Sequence, residues 1–415
     1  MPVAELEQLS LNDLLSPELA ADPYPFFRRL HEEDPVHWDA GTRGWLVSRF
    51  DDICSVISDR RASVHALAPT NNGKQGESLV CDIFHSQMLY LDPPDHPRVR
   101  TLFMKAFSRQ KLDNHQPRIL ALVTRLLDAV QDREGMDYIN DFAAPVPLNV
   151  VSDILGAPLE GRSLLRDQVT ALGMLLHGRM LSPEERAYID QCARLLTEYF
   201  SDLLEDRRRN PKDDMISDLA RIDREQGDPV SPAEIIANMI FFVIAGLGTT
   251  THMLGAGVLT LLKNPDQWKA LCNDRSLAKG VVAELLRFEP PVQMTHRIAL
   301  EDMEIGGQII QRGDRITLLF AAANRDPKRF PDPDRFDMRR TPSRTLSFSH
   351  GIHTCMGAAL ASLELEVAFS ELARRFPNLR LDGDPVWKPS VHFRQLNALS
   401  VNFGKSKSQG CPFHA

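Results

Sequence analysis

The sequence lacks paired cysteines. Its six (Cys54, Cys81, Cys192, Cys272, Cys355 and Cys411) show no C-x-x-C or similar spacing. That speaks against zinc ribbons and disulfide scaffolds and suits a reducing compartment, with at most one cysteine doing chemistry. A basic excess is missing too. Asp and Glu number 56 against 48 Lys and Arg, a formal net charge of −8, which argues against a general nucleic-acid binder. No internal repeat and no long linker divides the 415 residues. One domain is therefore expected over residues 1–404, followed by a loose tail at 405–415. The opening "MPVAELEQLSLNDLLSPELA" has acidic residues early and no basic-then-apolar pattern, so neither a secretory leader nor a membrane anchor is expected, and the cytoplasm is the expected location.

One run does resemble a membrane span, from Ile235 to Leu262. Asn238, His252, threonines and glycines inside it favour a buried core helix instead. The boundary signal agrees: Ser231, Pro232 and Glu234 form a capping-box pattern, repeated at Ser182, Pro183 and Glu185. A helix running from there to Lys263 would span roughly 48 Å. Helical spacing dominates residues 115–225, with "AKGVVAELLRF" and "AALASLELEVAFSELARRF" further on. Short strand-like runs appear near both ends, in "PVHWDAGTRGWLVSRF", "MEIGGQIIQRGDRITLLFAA" and "SVHFRQLNALSVNF". The class expected is mainly α with smaller β-sheets, an α+β fold.

The long helix has an odd centre, "AGLGTT". Gly246 and Gly248 sit beside Thr249, Thr250 and Thr251. Each mid-helix glycine costs about 1 kcal/mol relative to alanine, and threonine helps little. Something other than helix stability selects these residues.

The second unusual segment is "FSHGIHTCMGAALASLELEVAF". Cys355 closes a glycine-containing loop and opens a helix, whose free N–H groups and dipole favour a thiolate. No second metal ligand stands nearby, so zinc fits badly and a single axial thiolate on heme iron fits well.

"FSHGIHTCMG" resembles the heme-binding loop F-x-x-G-x-x-x-C-x-G of the cytochrome P-450 superfamily, matching at Phe348, Gly351, Cys355 and Gly357. The resemblance runs from "DPYPFFRRL" to "VHFRQLNALSV". It implies a triangular-prism-like domain with heme b between the long helix and the cysteine loop. It makes Cys355 the axial ligand, with Phe348 beside the sulfur and His353 on a heme propionate. By the same resemblance His96 and Arg100 in "LDPPDHPRVR" and Arg297 in "PPVQMTHR" serve the propionates. "ELLR" and "PDRF" would build a buried Glu284–Arg287–Arg335 network that braces the loop.

The family's long helix carries A/G-G-x-D/E-T-T/S over the distal heme face. Ala245, Gly246 and Thr249 match, and the resemblance implies that the glycine admits the porphyrin while the threonine opens a groove for oxygen. Gly248 stands where the family has an acid that passes protons. Its replacement is open among an ordered water chain, a substrate group and His252, four residues on. By analogy the substrate would meet the loop from Val64 to Leu89, the stretch around Leu172 to Leu181, Val243, Leu247, Val292, Met294 and Gln395. Lys105, Arg109 and Lys111 would offer a proximal basic patch to an acidic ferredoxin-like donor.

The resemblance implies a monomeric, soluble bacterial enzyme. It would take electrons from NAD(P)H through ferredoxin and ferredoxin reductase, and use O2 to hydroxylate or epoxidise a lipophilic small molecule in natural-product metabolism. The departure at Gly248 keeps a second reading open, a peroxide-driven or otherwise atypical reaction such as oxidative coupling or ring formation.

Overall fold

Both capping boxes form in the computed structural model, which describes residues 9–68, 78–107, 115–177, 181–226, 230–341 and 343–404. Ser182 Oγ accepts from the Glu185 N–H at 3.2 Å and the Glu185 carboxylate accepts from the Ser182 N–H at 2.9 Å. Ser231 and Glu234 repeat the exchange at 3.2 and 2.8 Å. Each box satisfies two amide donors that a helix start leaves without partners. Both helices begin one residue later, at Pro183 and Pro232.

Five helices position the site: α1 (Asp95–Ala106), α2 (Pro145–Leu155), α3 (Pro232–Lys263), α4 (Ala278–Phe288) and α5 (Ala358–Arg375). The 32 residues of α3 pack against α2 and α5. By length and composition alone α3 could cross a membrane, yet half of its most apolar window is buried inside the fold. The half-buried remainder includes Ala245 to Thr249, Thr251 and His252, around the helix's centre. That side of α3 is the site.

Sheet content is small, as expected, and helices hold 59% of the chain. Five strands, β1 (Val36–Asp39), β2 (Gly44–Val47), β3 (Ala62–Ser63), β4 (Thr295–Ala299) and β5 (Arg315–Leu318), form one sheet in the order β1-β2-β5-β4-β3. β1 and β2 make the hairpin that alternation predicts, with Val36 opposite Val47. β2 then runs parallel to β5, Trp45 beside Ile316, which ties the two ends of the chain together. One face of this sheet buries Val36, Val47, Ile316 and Leu318 with Phe50, Ile53 and Val56 of the next helix. At about 25 cal/mol per Å² of apolar surface, such burial is what holds β4 still, and β4 carries Arg297.

Candidate functional site: a thiolate loop facing the centre of the long helix

The cysteine loop is held by its backbone. Cys355 N–H donates to the Phe348 carbonyl at 2.8 Å, and Thr354 N–H to that of Gly351 at 3.1 Å. Gly351 has φ +67°, a left-handed conformation in which a Cβ is strained. α5 starts three residues after the cysteine, and the Gly357 and Ala358 N–H groups hydrogen-bond the sulfur. The Cys355 side chain keeps accessible surface although protein surrounds it. That surrounding burial pushes the thiol up, while the two N–H donors and the Arg100 charge pull it down. Without a positive charge on the sulfur, burial wins. A cation bonded to Sγ reverses the balance and makes the thiolate the stable form.

Around the loop stand cations without anions. Arg100 on α1 donates from Nη2 to the Thr354 carbonyl at 2.6 Å, which fastens α1 to the cysteine loop. The His96 and His353 rings lie 4.3 Å apart. His96 Nε2 is buried with no hydrogen-bond partner. Arg297, 3% exposed, donates to the His296 carbonyl at 2.6 Å. Burial lowers Arg297 to about 10. Burial, then the Arg100 charge, lowers His96 to about 4. Burial together with His96, Arg297 and Arg100 lowers His353 to about 3. Among the described residues no carboxylate forms an ion pair with Arg100 or Arg297. Buried guanidinium groups of this kind need anionic partners. The donor set therefore fits a group with two carboxylates beside a single thiolate ligand, which is what heme b offers.

The bracing network forms with one change. Glu284 and Arg287 on α4 pair at 2.7 and 2.8 Å, 4% and 1% exposed. Arg287 also donates to the carbonyls of Asn324, Pro333 and Arg335 at 3.1, 2.8 and 3.2 Å. The Arg335 side chain, expected as the third member, is 68% exposed and reaches Asp337 at 3.6 Å. Its place is taken by Arg340, whose Nε donates to Glu284 at 3.1 Å. The chain turns after "PDRF", so Arg335 lends its backbone while the residue five positions later points inward. "DMRR" carried the signal, but nothing local in it distinguishes Arg340 from its neighbour.

The broken centre of α3 divides into two kinds of glycine. A Cβ at Gly246 would lie 2.7 Å from Val151 Cγ2 on α2. Gly246, expected to admit the porphyrin, instead lets α2 pack close, because its hydrogen side faces that helix. A Cβ at Gly248 would meet His252 Nε2 alone, at 3.7 Å. Thr249 Oγ1 donates to the Ala245 carbonyl at 2.7 Å and Thr251 Oγ1 to that of Leu247 at 2.8 Å. Such back-bonding to i−4 carbonyls loosens the local helix.

The expected substrate-lining residues scatter. Leu89, Leu247 and Val292 are half-buried, and Val292 bridges Phe393. Gln395 is buried, with an amide nitrogen that makes no hydrogen bond. Val243 is fully buried in the main core. Met294 packs with Leu46 and Leu319 in the N-terminal core. Along this extended stretch Met294 falls on the face opposite Arg297, because side chains alternate. Neither belongs with the lining. Of the proximal cations, Lys105 is exposed, whereas Arg109 and Lys111 lie outside the described residues. So do parts of both expected substrate loops, at 69–77 and 178–180, and the tail 405–415.

A lone cysteine at a helix start, arginines without an ion-pair partner among the described residues and a loosened helix together make a heme-thiolate type of site. Comparison with known proteins agrees. Residues 74–391 match the model of the family described as cytochrome P-450. The chain is 35% identical to the biotin biosynthesis cytochrome P-450 of Bacillus subtilis, over 94% of this chain and 98% of that one. It is 34% identical to the cytochrome P-450 monooxygenase PikC of Streptomyces venezuelae, over 95% and 94%. Its fold is similar to the crystal structure of P-450 BioI in complex with acyl carrier protein ligated to hexadec-9Z-enoic acid. That match has a TM-score of 0.88 and 35% identity, covering 93% of this chain and 100% of that one. The chain belongs to the cytochrome P-450 family. It is a heme-dependent oxidoreductase of the monooxygenase class, similar to bacterial enzymes of biosynthesis.

Proposed function

We propose that this enzyme hydroxylates or epoxidises a lipophilic small molecule in natural-product biosynthesis, with O2 as oxidant. Electrons would reach it from NAD(P)H through ferredoxin and ferredoxin reductase, in the cytoplasm, with the chain acting as a monomer. Cys355 would hold the iron of heme b. His96, Arg100, Arg297 and His353 would bind the propionates, and Phe348, Gly351 and Gly357 would shape the loop against the ring. When bound, the heme supplies the oxygen-activating chemistry, helped by electron density from an axial thiolate. Ala245 and Thr249 would border the oxygen groove, with Thr249 Oγ1 free to turn from the Ala245 carbonyl toward the groove. Leu89, Leu247, Val292 and Gln395 would meet the substrate. Glu284, Arg287 and Arg340 would hold the loop in register without touching the reacting atoms.

The relative seen with an acylated carrier protein suggests the substrate class: a long acyl or polyketide-like chain. The observation that carries the whole reading is the Cys355 sulfur under two N–H donors, beside Arg100 and Arg297, for which no carboxylate among the described residues forms an ion pair. Gly248 favours a second reading, a peroxide-driven reaction. One experiment tests both. The reduced protein with CO should show the red-shifted band of a thiolate ligand, and Cys355→Ser should lose it; retention of the band in the variant refutes the assignment. Turnover that requires ferredoxin, reductase and NADPH supports the first reading, and turnover with H2O2 alone supports the second.

A further inference from the structure

Glycine at 248, where the family has an acid, leaves the turn that carries Thr249 without a carboxylate. His252 replaces it in space. Helical side chains lean toward the N-terminus, so residue i+4 covers the turn of residue i. Here that lean brings the His252 ring over Gly248. Among the described residues, and apart from the chain neighbours Leu247 and Thr249, its Nε2 is the one side-chain atom within 4 Å of the position a Cβ at 248 would take, at 3.7 Å. Three other α3 glycines, Gly246, Gly255 and Gly257, are filled by neighbouring side chains at 2.6–2.7 Å. Gly248 differs: a Cβ there would make an ordinary van der Waals contact with an imidazole nitrogen, at 3.7 Å. Phe393 packs against the ring, centroids 5.9 Å apart and planes 54° from parallel.

We propose that His252 is the proton-relay residue of this groove, taking the part that the family assigns to the acid at 248. The inference rests on the monooxygenase reading above. The overall reaction is RH + O2 + 2 e⁻ + 2 H⁺ → ROH + H2O. The electrons come from a one-electron donor protein, one oxygen atom enters the C–H bond and the other leaves as water. His252 releases each proton from Nε2 into the groove beside the Thr249 hydroxyl and takes another from bulk solvent. Imidazole suits this task because its two nitrogens can release and accept protons near neutral pH.

The test compares wild type, His252→Ala, His252→Gln and Gly248→Asp/His252→Ala as holoenzymes, with ferredoxin, reductase, NADPH and a substrate chosen by its heme spin shift. Both single variants are expected to lose at least about tenfold in kcat with the substrate's spin-shift Kd unchanged. Their solvent deuterium isotope effect should rise. The double variant should recover most of the loss, because it puts a proton-bearing group back beside Thr249. In 15N-histidine-labelled, CO-bound protein, His252 Nε2 should carry a proton near neutral pH. An unprotonated Nε2, an unchanged kcat, or a loss that follows Kd and persists in the double variant overturns the relay. The red-shifted CO band must persist in every variant. Its absence from the wild type would instead sink the heme-thiolate reading itself.

Discussion

Arg335 and Arg340 show what a single residue's address means. They stand five positions apart, yet the Arg340 guanidinium reaches the Glu284 carboxylate while that of Arg335 reaches solvent. Removing one partner of a buried charge network leaves an uncompensated charge, so Arg287→Ala should cost about 3–5 kcal/mol. Arg340→Ala, at a partly exposed site, should cost about 1–3 kcal/mol. Arg335→Ala should stay within about 0.5 kcal/mol, since its one acid contact is long and open to water. Urea unfolding midpoints and heme retention of the three variants check the order; equal effects of Arg335 and Arg340 would return Arg335 to the network. At this scale the motif residues Cys355, Glu284 and Arg287 were legible, because loop spacing and i, i+3 pairing are local properties. Arg340 was not, because its partner lies 56 positions away.

At the scale of an element, α3 reads as a poor helix that tertiary packing sustains. Its glycines differ in what they face, and alanine substitution separates them. Gly246→Ala should destabilise by about 1–3 kcal/mol through overpacking against Val151. Val151→Ala should relieve part of that cost, leaving a coupling energy of about 1 kcal/mol in the double-mutant cycle. Gly248→Ala meets only the His252 ring at a comfortable distance. It should stabilise by up to about 1 kcal/mol, the helix-propensity difference. Thermal midpoints of the four proteins test this; a Gly246→Ala that melts like wild type contradicts the close packing of α2 on α3. The extent of α3 was readable from its capping box and apolar length. The orientation of each glycine was not, because periodicity gives relative angles along a helix and not which neighbour occupies each face.

Among the buried acids that the site does not use, one stands on α5. Glu364 on α5 is 1% exposed and its Oε2 has no hydrogen-bond partner. Burial raises its carboxyl from the usual 4.5 to about 8. A raised acid binds its proton more tightly in the folded state, so the stabilising contribution is present below about 4.5 and is lost as pH rises toward about 8. Glu364→Gln keeps the shape without the ionisation. It should leave acid stability nearly unchanged and gain on the order of a few kcal/mol at the alkaline end. Urea midpoints of both proteins across that pH range measure the difference, and parallel pH profiles would show that Glu364 does not titrate on unfolding.

The sequence by itself determined the elements and the cysteine loop. Capping boxes, alternation and the thiolate loop are local patterns, and local patterns survive being read in one dimension. Tertiary structure alone decided what meets what. It joined β2 to β5, chose Arg340 over Arg335, turned Gly246 toward Val151, and moved Val243 and Met294 into the core. It also set the His252 ring beside Gly248. The spacing i, i+4 allowed that contact, but the support of Phe393, 141 residues away by the numbering, comes only from the folded chain. Contacts between distant segments depend on how faces pack, and packing is a property of the whole fold.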